Sequence, residues 1–528
     1  MIRIKINDKE ISVQEGTTIL AAASRNGIEI PAMCFNEEAG PFGSCMVCVV
    51  KETLTGRFLP SCSAMAEEGM NIVTDDPEVR EARRIALELL LSDHVGDCQA
   101  PCQIACPAHM NIPLMNRLLM QGKTDEALQV VVQDIPFPAV FGRICSAPCE
   151  GACRRKSVDE PVSICLLKRF TGDHGIYSDE KRPVKKIPDK KIAIIGAGPA
   201  GLTAAYYLSR SGYHCEVFDK NEKPGGMLRY GVPEENLPHE ILDREIKRIL
   251  NKEIVMKQGL LVDEKMFDEI LATYDAVIIA TGDIDDHVKS WKINSDQKGI
   301  LVGKKTYQTS VPKVFAAGNV LRSTKMAVRS VGHGKEAAIS VRQFLSGKKV
   351  TGPEEIFNSR FGRLLDEEIA EYLKESHDGT RIDPDKGITE GYSIQEVIRE
   401  AGRCLHCDCR DIQTCKLRIF ADQYDANQRR FLSEERKPVK KKYIHDTVIY
   451  EPAKCIKCGI CVRLTARYKE KFGFTYIGRG FDVQIEIPFN EDLRSALAET
   501  AEKIAQACPT GALAKKKYRL GQKQRFDL

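Results

Sequence analysis

The sequence predicts a multidomain chain that mixes α/β with α+β architecture, and three observations predict it. Its 528 residues exceed what one hydrophobic core organises, which points to several domains. Its 20 cysteines fall in groups with two, three or five residues between members, a spacing for metal thiolate ligation rather than a secreted disulfide scaffold. A strand, a glycine-rich turn and a helix follow one another in KKIAIIGAGPAGLTAAYYLSRSG near the middle of the chain. Charge adds an exclusion: 78 basic against 74 acidic residues leave a net charge of +4, no general field for nucleic acid or anionic lipid. The Lys-rich stretches at 437–442 and 515–517 read as solvated surface. The start, MIRIKINDKEIS, lacks a signal-peptide profile, and no run approaches the ~18 apolar residues of a membrane span. A cytoplasmic protein without a membrane span is expected.

Residues 1–78 form the first expected domain. Short β-patterned runs (IRIKI, EISVQ) flank turns, and TTILAAASRNG reads as a helix capped by Thr17 or Thr18. A Gly-bearing loop then carries Cys34, Cys45 and Cys48, with Cys62 following. Four thiolates, three of them on one loop, fit a 2Fe-2S cluster, since two irons need two terminal thiolates each; a zinc site is the alternative. The segment resembles the β-grasp 2Fe-2S ferredoxin module of the complex I iron-sulfur subunit and of iron-only hydrogenases.

Residues 79–185 are expected to be a helical domain with two clusters. The helix-patterned VREARRIALELLLSDH leads into CQAPCQIACP and, further on, GRICSAPCEGACRR. Together with IPFPAVFGRIC and EPVSICLLKRF, these runs resemble the N-terminal domain of the glutamate synthase small subunit, found also in dihydropyrimidine dehydrogenase. The resemblance implies two 4Fe-4S clusters with interleaved ligands: Cys98, Cys102 and Cys153 for one, Cys106, Cys145 and Cys149 for the other. Cys165 completes the second. The family's Gln or Glu stands three residues further on, where this chain has Lys168, a cation that cannot ligate iron. The first cluster lacks the family's upstream Cys, and His94 stands four residues before Cys98. His-x3-Cys resembles the His-ligated 4Fe-4S site of complex I; an ordinary helix-end histidine is the alternative.

Residues 172–190 read as a linker, and 186–350 as a Rossmann-like FAD domain. Gly196, Gly198 and Gly201 give the tight turn and close pyrophosphate approach, and Asp219, ending HCEVFD, is placed to accept a ribose hydroxyl. KPGGMLRYGVPEENLP (Gly225, Gly226), VIIATG (Thr281, Gly282) and VFAAGNV (Gly318, Asn319) follow in the order of the glutamate synthase small-subunit flavoproteins. That resemblance implies FAD, with Asn319 replacing the family's Asp. The family's second Rossmann unit, for NAD(P)H, has no room: residues 283–313 are too few for βαβαβ and carry no second glycine fingerprint. No nicotinamide site is expected in this chain.

Residues 351–430 read as a helical linker with EAGRCLHCDCRDIQTCKLR, in which Cys404, Cys407, Cys409 and Cys415 hold a 4Fe-4S cluster or, alternatively, zinc. Residues 431–528 carry CIKCGIC (Cys455, Cys458, Cys461) and Cys508, resembling a two-cluster ferredoxin that keeps one 4Fe-4S cluster. Thr465, Ala498, Ala501 and Ile504 stand where the other cluster's ligands would be. Five clusters, one 2Fe-2S and four 4Fe-4S, need twenty ligands; Cys215, in the FAD-domain strand, reads as a buried free thiol, so His94 supplies the last. The expectation is an electron-transfer subunit of a multi-subunit oxidoreductase from an anaerobe, with partners handling NAD(P)H, hydrogen or formate and with ferredoxin as a carrier. Flavin-based electron bifurcation is a setting for it. The alternatives are a self-sufficient ferredoxin-dependent reductase and a redox scaffold with a non-catalytic FAD.

Overall fold

The computed structural model describes residues 1–177, 187, 190–250, 254–324, 326–432, 436–439 and 442–516. The chain is multidomain α/β, as its sequence predicts, and it divides into two compact units. One takes residues 1–99, 356–374 and the stretch from 407 onward; the other takes 100–355 and 375–406. Most of the expected 172–190 linker, with Lys440, Lys441 and Lys517 of the Lys-rich stretches, lies outside the described residues.

The first unit opens on a five-stranded sheet in the order Lys9–Val13, Ile2–Ile6, Asn71–Val73, Val49–Glu52, Phe58–Pro60. Alternating Ile4, Ile6, Ile11 and Val13 face its core, the period of two of a half-buried strand. Thr18 caps the helix Ile19–Arg25, its hydroxyl accepting from the Ala21 N–H at 3.2 Å. Helix Pro77–Ser92 starts at the Asp76 cap. It is held by buried Arg83, which donates to the Val49 carbonyl (2.8 Å) and the Tyr424 hydroxyl (2.9 Å). The C-terminal part shares this core: Tyr450, Phe474, Leu493 and Ile504 belong to the same apolar cluster as Ile6 and Ile19. Thr465, Ala501 and Ile504 are packed there as core residues, and Thr465 donates to the Cys461 carbonyl at 2.9 Å. Lys442 departs from the expected solvated stretch. It is buried, 3.7 Å from Glu451 and 3.8 Å from the centre of the Tyr372 ring, because a long aliphatic stem can cross a core when its head finds a carboxylate and an aromatic face.

The second unit combines a helical domain with a five-stranded parallel sheet, in the order Val314–Ala316, Ala276–Ile279, Lys191–Ile195, His214–Phe218, Ile254–Lys257. Its strands read as continuous apolar runs because both faces are covered. Cys215 is fully buried in this sheet. Between Ile279 and Val314 the one named element is the short helix Asp286–Ser290, so no second Rossmann unit intervenes. In the helical domain, Pro138–Ile144 and Ile164–His174 cross at small residues. A Cβ on Gly142 would lie 2.3 Å from Arg169 Cβ, and one on Gly172 would lie 2.4 Å from the Ala139 nitrogen. Helix Ile164–His174 runs two residues past the expected start of the linker at 172. Residues 351–430 are less helical than expected: Asp366–Leu373, Ile394–Gly402 and Lys416–Gln423 are separated by irregular chain, interrupted by Pro384 and by Gly379, Gly387 and Gly391 at positive φ.

Candidate iron-sulfur and dinucleotide sites

In the N-terminal domain the four expected thiols meet. Cys34 interacts with Cys45 and Cys62, and Cys48 with Cys62. All four are buried, and hydrogen bonding from Cys62 holds the Cys48 thiol down at about 7. The Cys48 carbonyl takes the Ser61 hydroxyl at 2.7 Å, which ties the loop to the segment ending at Cys62.

In the second unit, Cys106, Cys145, Cys149 and Cys165 surround the buried Lys168 ammonium, which lies 3.8 Å from Cys165 Sγ. Burial opposes its charge, and the four thiolates raise its proton affinity above the ordinary lysine range. Helix Ile164–His174 presents Cys165 and Lys168 on one face, the i,i+3 relation. The Cys165 N–H donates to Glu150 at 2.9 Å, and Arg381 pairs with the same carboxylate at 3.1 Å. The sequence placed Lys168 at this site only as a residue that cannot ligate; its burial as a counter-charge is what the fold adds.

The remaining cysteines of the middle segments have neighbours that spacing did not show. In the first unit, the Cys409 N–H donates to the Cys98 carbonyl at 3.1 Å, and Cys98 Sγ accepts from the Ser359 N–H at 3.4 Å. The Cys409 and Cys415 thiols sense each other and Cys98. His94 is buried, and burial holds its imidazole at about 4, so it is neutral. Its Nδ1 lies 3.2 Å from the Lys454 carbonyl. In the second unit, Cys404 hydrogen-bonds with the Asn116 side chain and senses Cys153. Arg155 Nη1 donates to the Arg403 carbonyl at 3.2 Å, joining the chain beside Cys404 to the chain beside Cys153. Burial pushes the Cys404 thiol up to about 11.

At the C-terminal site Cys455, Cys458 and Cys461 share the field of Cys508. Cys458 also senses Cys34, and Arg463 reaches both loops, donating to the Cys34 carbonyl at 3.2 Å and the Cys458 carbonyl at 3.5 Å. Among the described residues no three His, Cys, Asp or Glu side chains are arranged to hold a single metal ion.

The parallel sheet opens on a cavity of about 300 Å³, lined by Gly196, Gly198, Asp219, Gly226, Thr281, Gly282, Gly318 and Asn319 from the expected set. Gly201 and Gly225 shape the turn instead. A Cβ on Gly201 would lie 1.9 Å from the Gly196 carbonyl oxygen, and the Gly225 N–H donates to the Ala197 carbonyl at 2.8 Å. Gly196 has φ +109, a conformation that glycine adopts freely. The N-terminus of helix Pro199–Arg210 faces the cavity through Gly198, Pro199 and Ala200, the arrangement that receives a pyrophosphate. Asp219 Oδ2 accepts the Ala197 N–H at 2.6 Å and Oδ1 the Asn221 N–H at 2.8 Å, which fixes its carboxylate at the cavity wall. Thr281 Oγ1, Thr324 Oγ1 and Trp291 Nε1 line the cavity, buried and without a partner, so polar groups await a ligand there. Trp291 and Thr324 lie outside any glycine fingerprint, and no sequence signal marked them.

These sites define an iron-sulfur chain with a dinucleotide-binding domain, and family models agree along its length. Residues 1–77 match a 2Fe-2S iron-sulfur cluster binding domain, and 74–180 match dihydropyrimidine dehydrogenase domain II, a 4Fe-4S domain. Residues 194–245 match an NAD(P)-binding Rossmann-like domain, and 446–514 the ferredoxin-like domain of NADH-quinone oxidoreductase subunit 3. The chain is similar to the NADPH-Fe(3+) oxidoreductase subunit beta of Geobacter sulfurreducens, 37% identical over 46% of this chain and 34% of that one. It is also similar to the NADP(+)-dependent formate dehydrogenase subunit beta of Moorella thermoacetica, 39% identical over 35% of this chain and 29% of that one. The glutamate synthase [NADPH] small chain of Bacillus subtilis is 38% identical over 35% of this chain and 40% of its own length. The match thus spans about a third of these relatives' length. No helix among the described residues is long and apolar enough to cross a membrane.

Proposed function

We propose that this chain is a cytoplasmic electron-relay subunit of a larger oxidoreductase. One FAD and five iron-sulfur clusters would connect a partner that handles NAD(P)H, hydrogen or formate to a second carrier such as ferredoxin. The carrying observation is helix Ala327–Leu345. Ala327 and Ser330 line the dinucleotide cavity, and two residues on, a Cβ at Gly332 would lie 2.4 Å from the carbonyl oxygen of Pro107, the residue after Cys106. Lys335, on the same helix, donates to the Ala108 carbonyl at 3.1 Å and pairs with Asp134. The cavity wall and the cysteine loop are therefore one packed unit, the arrangement a relay needs.

FAD fits the cavity through the turn at Gly196–Gly198, the Asp219 carboxylate and the unpartnered Thr281, Thr324 and Trp291 groups, and it would supply one- and two-electron chemistry there. Residues 283–313 contribute Asp285, His287, Val288 and Trp291 to the wall instead of a nicotinamide domain. Hydride transfer needs the nicotinamide held against the flavin, and positioning supplies much of its rate. The purified chain should therefore bind FAD, show no flavin bleaching with NADH or NADPH under anaerobic conditions, and bleach with dithionite. Bleaching that appears when a nucleotide-binding partner is added supports the relay. Rapid bleaching by micromolar NADPH without a partner overturns it in favour of a self-sufficient reductase.

A further inference from the structure

We propose that the Cys404–Cys415 run serves two clusters rather than one: Cys409 and Cys415 join Cys98 and His94 in the first unit, while Cys404 joins Cys102 and Cys153 in the second. This division rests on the reading that the clusters are bound, and it departs from the sets that sequence spacing and family resemblance imply. Residues 97–99 are anchored within the first unit: Cys98 exchanges hydrogen bonds with Ser359, its N–H donating to the Ser359 carbonyl at 3.1 Å. Asp97 accepts the Phe361 N–H at 3.0 Å, and the Gln99 N–H reaches Asn358 Oδ1 at 3.1 Å. Onto this anchored turn Cys409 donates through its own N–H, so the backbones of Cys98 and Cys409 are in direct contact. Cys415 is fixed nearby: the Lys416 N–H donates to the Pro509 carbonyl at 2.8 Å, and the Cys409 sulfur lies 2.2 Å from where a Gly511 Cβ would be. Gly511 thus leaves room for a thiolate that any side chain would displace.

His94 fits as the fourth ligand by its hydrogen bond. A carbonyl oxygen only accepts, so Nδ1 carries the proton donated to Lys454, and Nε2 keeps its lone pair for a metal. Metal-bound histidines commonly donate their other ring N–H to a carbonyl in this way. The Val95 N–H donates to the Ala453 carbonyl at 2.8 Å, holding the His94 segment against the same strand of chain.

On the other side of the run, Cys404 ends at helix Ile394–Gly402, which packs on helix Ile112–Met120, the bearer of Asn116. Cys102 lies on helix Pro101–Ala105, which packs on the same Ile112–Met120 and on Pro148–Gly151, just before Cys153. All of these residues belong to the second unit, whereas Cys409 and Cys415 belong to the first.

The test uses the full chain with its clusters, purified anaerobically. Iron in the unaltered chain, about 18 atoms, first tests the cluster reading itself. Cys98→Ala and Cys415→Ala should each lose the same electron paramagnetic resonance signal, and their double variant no more iron than either alone. Cys404→Ala and Cys153→Ala should lose a different signal, and Cys404→Ala with Cys415→Ala should lose about eight irons. Loss of one shared signal by Cys404→Ala and Cys415→Ala, with Cys98→Ala removing another, overturns the division. Should alanine variants fail to fold, serine at the same positions keeps an oxygen ligand, and the pairing is read from which signal each one shifts. His94→Cys should lower the potential of the signal tied to Cys98 and Cys415, since thiolate adds negative charge; an unchanged titration together with an intact cluster in His94→Ala removes His94 from the set.

Discussion

Two buried lysines, one in each unit, sit among cysteine thiols in opposite electrostatic company. Lys454 holds Glu451 at 2.6 Å, with Lys442 as a second cation at 3.7 Å from that carboxylate, while its ammonium also feels Cys409. Burial would push the Glu451 carboxyl up, but Lys454 and Lys442 override it and hold it at about 2. Lys168, in contrast, is held by the thiolates of Cys165, Cys145, Cys149 and Cys106. One lysine is part of a charge network that stabilises the fold, and the other places its charge on the thiolate site. The difference teaches that a buried cation paired with a carboxylate acts on stability as well as on the thiols it faces, whereas one with only thiols about it acts chiefly on them.

The largest expected effect breaks the first half of this contrast. Glu451→Gln removes the carboxylate that pairs with buried Lys454 and faces Lys442, and should destabilise the chain by about 3–5 kcal/mol, read from anaerobic denaturant unfolding. A change below about 1 kcal/mol would mean that the thiolates alone neutralise Lys454. The second tests the other half. Lys168→Met should lower the potential of the Cys106–Cys165 cluster by on the order of 100 mV, a unit charge near 4 Å in an effective dielectric of about 20. An unmoved midpoint in a redox titration would place the lysine's charge elsewhere. The smallest effect sharpens the contrast: Lys442→Met, which removes a cation from the carboxylate side and from the Tyr372 face, should cost about 1–2 kcal/mol and leave every midpoint in place.

The candidate cysteine groups were legible because thiolate chemistry restricts the expected ligands to cysteine and a few other residues; each group is found at a buried or half-buried site. The strand–turn–helix at Lys191–Arg210 was legible for the same kind of reason, since Gly196 at φ +109 and Gly201 against the Gly196 carbonyl tolerate little else. What stayed hidden depends on segments meeting from far along the chain. Nothing in the spacing of Cys404, Cys407, Cys409 and Cys415 shows that Cys98 and Ser359 lie beside Cys409. Local composition likewise made Lys442 look solvated and 351–430 look helical, because propensity carries no record of a distant Tyr372 ring or of the side chains that hold an irregular stretch. Arg155 shows that kind of support, reaching Ser376, His377 and Gly379 across the loop after Leu373.

The crossing of helices Pro138–Ile144 and Ile164–His174 at Gly142 and Gly172 bears on speed as much as on shape. Cys145 follows the end of the first helix and Cys165 lies in the first turn of the second, so the two thiols are carried by a joint with no room for a methyl group. A close-packed joint moves little when the charge it surrounds changes, and its dipoles are already set before and after an electron arrives. Reorganisation around such a site is small. Gly142 and Gly172 thus bear on how quickly a cluster held by Cys145 and Cys165 would take up or release an electron.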